Sequence, residues 1–286
     1  MNRVKTAAEV MAIMETLAPA ALAESWDRIG LQIGDPAQPV KSVLLVLDVT
    51  PQVIARMNEL PFDMIICHHP AIFNPLEHLR LDDPQQNLLI ELAGRKISVL
   101  AAHTNLDAAP GGVADVLAEQ IARAAVGLIN PAGENGLGES LSDIHTEYFP
   151  VTATDEARKY GRLINLGCPV SLQQLTGRIK RDLRSGACRL NTDCDRPVAR
   201  LAIFPGSFPG EAAADLILAK ADCLICGEYK YHDGLAIGLS GVAAVGIGHD
   251  SSEQVVLLPL AEKLAGKLPE LTFAVSPGMD YNKIAF

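Results

Sequence analysis

The chain alternates short, wholly apolar runs with stretches in which apolar residues recur at helical spacing. The runs are rich in Val, Ile and Leu, and each ends abruptly in polar residues. Strands that are buried on both faces have continuous apolar runs of this kind, whereas strands with one solvent-exposed face alternate apolar and polar residues. The predicted strands are Ser42–Val49, Asp63–Cys67, Ile97–Ala102, Val198–Phe204, Asp222–Cys226 and Val242–Ile247. The pattern predicts an α/β fold with mainly parallel sheets flanked by helices.

Helical periodicity fills the intervals between these runs. Near the start of the chain, Val10, Ile13, Met14 and Leu17 fall on one face of a first amphipathic helix. The other predicted helices are Pro51–Glu59, Gly112–Arg123, Ser171–Leu183 with Ser171 as its N-cap, Gly210–Lys220, and one that begins at Ser251 and Ser252 and runs through Val255–Leu264.

The length of 286 residues is about twice that of a typical domain, which predicts two lobes. Residues 131–160 are rich in Gly and Pro at their start and lack clear periodicity, so we interpret them as a connection or an insertion. The predicted lobes are therefore residues 1–130 and residues 161–286.

The composition of the chain argues against some kinds of binding partner. Lys and Arg total 24 against 34 for Asp and Glu, a formal net charge of −10, which disfavours nucleic acid as a partner. A small anionic substrate would need local cations or metals. Apolar runs such as Val43–Leu47 are far shorter than the roughly 18 residues of a membrane span, so no membrane association is expected.

The cysteines and the N-terminal residues favour a cytoplasmic location. Most of the six cysteines lie inside apolar runs and form no disulfide framework, and Glu9 and Glu15 interrupt any signal-peptide core. For Cys223 and Cys226, a CxxC pair, we favour packing in a buried strand over metal or redox chemistry.

Metal-ligating side chains directly follow three of the predicted strands. They are His68 and His69 after the second strand, His103 and Asp107 after the third, and His249 and Glu253 after the last. One histidine near an apolar strand is usually structural, but four histidines with two carboxylates at such positions favour a site. In open parallel sheets, ligands bind in the crevice beyond the carboxyl ends of the strands.

Local spacing indicates how these side chains are used. His68 and His69 are adjacent, and neighbouring side chains on a strand diverge, which suits two ions better than one. His103 and Asp107 are expected to flank a loop, whereas His249 and Glu253 are four residues apart and would share a helix face. Such a set exceeds the needs of one tetrahedral ion and predicts two divalent ions, Zn, Fe, Mn or Ni rather than Ca.

The predicted strand Asp222–Cys226 leads into the sequence GEYKYHD, residues 227–233. Glu228 or His232 could serve as a general acid or base, and Lys230 could meet a phosphate. A solvated turn before a helix explains the same composition equally well.

Five blocks occur together in one order. They are WDRIGLQIGD (Trp26–Asp35), LDVTP (Leu47–Pro51), CHHPAIFNPL (Cys67–Leu76), AAHTNLDAAPGGV (Ala101–Val113) and GHDSSE (Gly248–Glu253). Together they closely resemble the Nif-three-like dinuclear metal-centre family, the GTP cyclohydrolase I type 2 homologues. The resemblance covers most of residues 22–113 and roughly residues 161–264.

The resemblance implies a two-lobed α/β subunit in a toroidal homo-hexamer, with one two-metal site per subunit facing an internal cavity. The implied ligands are His68, His69, Asp107, His249 and Glu253, with His103 in or beside the coordination sphere. The resemblance also places the stretch containing Glu228 and His232 close to the metals, as catalytic candidates.

Two functions follow as hypotheses. The first is a metal-dependent hydrolase acting on a purine nucleotide or a phosphoester. The second is a non-catalytic, ring-shaped metal-binding or adaptor protein.

Overall fold

The computed structural model describes residues 4–129, 145–149 and 160–276. Within them the chain forms two compact units: residues 4–112 with 256–276, and residues 113–255. In chain order the strands are β1 (Lys5–Thr6), β2 (Gly30–Ile33), β3 (Pro39–Val40), β4 (Ser42–Val46), β5 (Met64–Cys67), β6 (Ser98–Ala101), β7 (His145–Phe149), β8 (Gly161–Ser171), β9 (Arg189–Leu190), β10 (Pro197–Ser207), β11 (Cys223–Glu228), β12 (Ala243–Gly246) and β13 (Thr272–Val275). The α-helices are α1 (Ala7–Leu17), α2 (Pro51–Glu59), α3 (Pro84–Gly94), α4 (Thr104–Ala108), α5 (Val113–Ile129), α6 (Leu172–Asp182), α7 (Ala213–Leu218), α8 (Tyr231–Leu239), α9 (His249–Glu253) and α10 (Leu257–Lys267).

The first unit is built on a sheet with strand order β13-β4-β5-β6-β2. All neighbouring strands are parallel except β2, which runs antiparallel to β6. The residues of β5 and β6 are buried throughout, as expected for strands covered on both faces. Helices α2 and α3 pack against one face, where their core residues meet Leu44, Ile65 and Val99. The α/β class is therefore confirmed.

Capping side chains set the starts of two predicted helices. The Thr50 hydroxyl accepts from the backbone N–H of Val53, and Pro51 occupies the first turn, so α2 begins and ends as predicted. Ser171 accepts from the N–H of Gln174 at 3.2 Å and caps α6 as predicted.

The sheet of the second unit has the order β7-β8-β10-β11-β12-β9. Only β10, β11 and β12 run parallel, whereas β7, β8 and β9 add antiparallel pairs. The expectation of a mainly parallel sheet is therefore wrong for this unit. The far half of β8 contains several exposed residues, and antiparallel sheets can have one face in contact with solvent.

The units differ from the predicted lobes of residues 1–130 and 161–286 at two places. Helix α5 belongs to the second unit because Leu117 and Ile121 pack in a core with Ile164 and Leu201. The segment from residue 256 returns to the first unit because β13 pairs with β4. Of the predicted connection, residues 131–160, most lies outside the described residues. Strand β7, which lies within the predicted connection, pairs with β8 in the sheet of the second unit.

Three predicted helices have different bounds or breaks. Helix α5 runs on to Ile129, and the predicted helix at residues 210–220 is a 3-10 turn followed by the short α7. The predicted helix after Ser251 is divided into α9, a 3-10 turn and α10.

All six cysteines are free thiols. Cys223 and Cys226 are buried in β11, and burial raises the pKa of Cys223 to about 12. A thiol that resists ionisation is a poor metal ligand, which fits the packing role. Among the described helices, none has the length and apolar character that a bilayer crossing requires.

Candidate metal centre

Two neighbouring parallel strands of the first unit bring three imidazoles together. Cys67 at the end of β5 pairs with Ala101 at the end of β6, so the residues that follow leave the sheet at the same edge. One ring nitrogen from each of His68, His69 and His103 lies within 4.8 Å of the others. We call these three residues the histidine cluster. Nitrogens this close together could bind a metal ion.

The local backbone differs from the expectations in two respects. Strand β5 ends at Cys67, so the alternation of a strand no longer applies to His68 and His69, and their ring centroids lie 5.1 Å apart instead of diverging. His103 and Asp107 do not flank a loop, because His103 is the residue before the short helix α4. This helix places Oδ1 of Asp107 3.6 Å from Nε2 of His68.

Each imidazole of the histidine cluster is oriented through its Nδ1 atom. Nδ1 of His68 donates to the carbonyl oxygen of Ala102 at 3.0 Å. Nδ1 of His69 lies 2.8 Å from Asp48, and Nδ1 of His103 lies 2.8 Å from Asp27. With Nδ1 bonded to an oxygen, Nε2 is the ring nitrogen that could bind a metal, and metal-binding histidines are usually held in this manner. The donor set therefore fits a divalent transition metal.

Asp27 is the most heavily bonded of these supporting carboxylates. Besides His103, it accepts from the backbone N–H groups of Thr104 at 3.0 Å and Arg28 at 2.7 Å, and from the Thr104 hydroxyl. Burial alone would raise the pKa of Asp27, but the bonds from His103 and Thr104 outweigh it and hold the pKa well below its usual range. Asp27 is consequently a carboxylate that fixes the orientation of His103.

Sequence reasoning did not single out either supporting carboxylate. Asp48 follows strand β4, so the same strand-end position that indicated the histidines could have indicated it. Asp27 lies 76 residues from His103, and no local spacing connects the two.

The second unit brings His249, Glu253 and Glu228 together. Helix α9 begins at His249, and Nε2 of His249 lies 3.2 Å from Oε1 of Glu253, as their spacing of four residues predicts. Nδ1 of His249 lies 3.1 Å from Oε1 of Glu228 at the end of β11. A Cβ atom at Gly206 would lie 2.3 Å from Oε1 of Glu253, and the φ of Gly206 is +59°, so glycine is favoured here.

His232 takes a different position from Glu228. It lies in the first turn of α8 as an exposed side chain, with its ring centroid 5.2 Å from that of Tyr231. Within the described residues, Glu228 contacts the candidate metal ligand His249, whereas His232 is not shown in contact with any of the candidate ligands.

Fold and site together define a class of α/β proteins in which histidine and carboxylate side chains gather where parallel strands end. A family model described as Duf34/NIF3 (NGG1p interacting factor 3) matches residues 5–279, and the chain belongs to this family. This confirms the family resemblance of the sequence blocks.

Individual relatives agree with this assignment. The chain is 29% identical over 272 residues to a "GTP cyclohydrolase 1 type 2 homolog" of Clostridium perfringens, covering 94% of this chain and 95% of that one. It is 30% identical over 272 residues to a "Protein NIF3 homolog" of Schizosaccharomyces pombe, covering 93% and 91%. The crystal structure of a Bacillus cereus protein related to NIF3 has the same fold, with a TM-score of 0.81, 21% identity and full coverage of both chains.

Proposed function

We propose that this protein binds two divalent transition-metal ions and uses them to hydrolyse a purine nucleotide or a phosphoester. The observation that carries the proposal is the histidine cluster, whose three ring nitrogens lie within 4.8 Å of one another with each Nδ1 bonded to an oxygen. The name of the relatives, GTP cyclohydrolase 1 type 2 homolog, is the reason to place a purine nucleotide first.

The proposed ligands are the six side chains that the sequence predicted. They are His68, His69, His103, Asp107, His249 and Glu253. Six ligands exceed the needs of one tetrahedral ion and match a pair of ions with open positions. Zn, Fe, Mn or Ni suits this mixture of imidazole and carboxylate.

Bound ions of this kind polarise an electrophile and lower the pKa of bound water toward neutrality. The protein's own groups hold the ligands in place: Asp27 and Asp48 fix the rings of His103 and His69, and Glu228 fixes His249. Glu228 or His232 is proposed to carry the proton during hydrolysis.

The test is metal analysis of the purified protein followed by a turnover screen with GTP, other nucleotides and phosphoesters. We expect about two equivalents of metal per chain and turnover that a chelator abolishes and added metal restores. Full metal content without metal-dependent turnover on any substrate class would instead favour a metal-binding or adaptor protein.

We also propose that the chain self-associates, as the resemblance to a family of hexamers implies. An apolar stripe on the exposed side of α8 supports this proposal: Tyr231, Leu235 and Leu239 recur every four residues and are 66%, 51% and 82% exposed. Ile217 and Leu218 of the contacting helix α7 are exposed as well. Apolar patches of this extent usually mark protein interfaces.

The substitution Leu239→Glu is expected to reduce the native mass, because it would bury a charge in the subunit contact. Sedimentation velocity measures this change. Leu258→Glu, at a leucine that is 60% exposed in the first unit, is the matched control and should leave the mass unchanged. A wild-type protein that sediments as a monomer would refute self-association.

A further inference from the structure

We propose that Trp26 and Phe73 form an aromatic platform that binds a flat aromatic or heteroaromatic ring of a small ligand beside the histidine cluster. The platform would bind only the aromatic ring of the ligand. Its connection to chemistry rests on the proposed function, because the metals would act on the part of the ligand nearest His103.

The two rings lie next to each other and next to a histidine of the cluster. The ring centroid of Trp26 is 6.1 Å from that of Phe73, with an interplanar angle of 58°. It is also 6.3 Å from that of His103, with an angle of 74°. These separations are within the usual range for interacting aromatic rings. A ring that stacks on Trp26 would therefore lie near His103.

Both aromatic side chains leave much of their surface uncovered. Trp26 is 53% exposed and Phe73 is 42% exposed. Large aromatic side chains normally bury most of their area, so two exposed ones in contact present a surface that a ligand can cover. A flat ring fits this surface because stacking needs only a π-face and tolerates different heteroatoms.

Hydrogen bonds fix the residue that neighbours each ring in the chain. Trp26 directly precedes Asp27, whose carboxylate is bonded to His103 and Thr104. Phe73 directly follows Ile72, whose N–H donates to Oε1 of Gln32 at 2.9 Å and whose carbonyl accepts from Nε2 of Gln32 at 3.0 Å. A surface that is ordered before binding loses little conformational entropy when a ligand arrives. The fixed neighbours of Trp26 and Phe73 therefore favour a platform that is ordered before a ligand binds.

Trp26 is the only tryptophan of the chain, so its fluorescence reports on the platform alone. The experiment titrates the full-length, metal-loaded protein with guanosine and adenosine, which carry an aromatic ring, and with ribose, which carries none. We expect a saturable change in fluorescence with both nucleosides and none with ribose. Equal responses to ribose and nucleosides, or no saturable response to either nucleoside, would overturn the proposal.

Substitutions locate the binding. Phe73→Ala and Phe73→Leu are each expected to weaken nucleoside binding roughly tenfold, because stacking on one aromatic side chain typically contributes about this factor. The leucine variant keeps apolar volume and removes only the ring. Leu81→Ala, at an aliphatic side chain that is 72% exposed, is the matched control and should bind normally. Unchanged affinity in both Phe73 variants would contradict the platform.

The experiment also separates the platform from the metal proposal. His68→Ala is expected to lower the metal content while nucleosides still change the fluorescence of Trp26. A wild-type protein that binds nucleosides but no metal would refute the proposed function and leave the platform intact. A metal-loaded protein that binds no nucleoside would refute the aromatic platform and leave the proposed metal binding intact. A protein partner would then be the group that covers these rings.

Discussion

Replacing His68 with alanine is expected to remove most of the bound metal and, with it, metal-dependent turnover. His68 is only 1% exposed, its Nδ1 is bonded to the Ala102 carbonyl, and its Nε2 faces Asp107. Loss of a partner that merely orients a ligand typically costs ten- to a hundredfold in metal affinity, so loss of the ligand itself should cost at least about a hundredfold. Elemental analysis after gel filtration, with turnover measured on the same sample, checks this result.

His78→Ala is the control for this experiment. His78 is an exposed histidine ten residues along the chain, so its substitution should change neither metal content nor turnover. If the His68 variant keeps the metal content of the wild type, the histidine cluster is not the metal centre.

Replacing Asp115 with alanine is expected to destabilise the second unit by about 3 kcal/mol, the lower end of the range for breaking a buried ion pair. Arg162 is 1% exposed and donates through Nε to Asp115, which lies in the first turn of α5. Removal of the acid leaves the guanidinium buried without this carboxylate. The lower end applies because the Asp115 side chain is 30% exposed. The thermal midpoint should fall by roughly 6–12 °C.

The same helix provides a matched control. Glu119 pairs with Arg123 at a spacing of four residues, and both side chains are about half exposed. Exposed pairs of this kind contribute well under about 1 kcal/mol, so Glu119→Ala should leave the midpoint nearly unchanged. Equal shifts in the two variants would show that burial of Arg162 does not make its pairing important.

The sequence predicts those parts of the fold that depend on local pattern. Strands β4, β5 and β6 lie within the predicted apolar runs because a strand buried on both faces needs apolar residues throughout. The antiparallel strands of the second sheet were missed because β9 has two residues and β7 lies in a segment without clear periodicity. The pairing of β13 with β4 joins residues more than two hundred positions apart, and no local signal encodes it.

The candidate site likewise contains residues whose role could be predicted from the sequence and residues whose role could not. The three histidines of the cluster follow the apolar runs directly, so their position at the strand ends was predictable. Asp27 was not, because its role arises only when the tertiary fold brings it to His103. The helix α4 was missed because five residues are too few to show helical periodicity.

The pairing of β13 with β4 has a consequence for synthesis on the ribosome. Residues 113–255 are inserted between two parts of the first unit, and β13 begins only at Thr272. The sheet that carries His68 and His103 therefore cannot reach its full width until the inserted unit has been translated. Nascent chains should show a complete second unit before the first unit resists proteolysis.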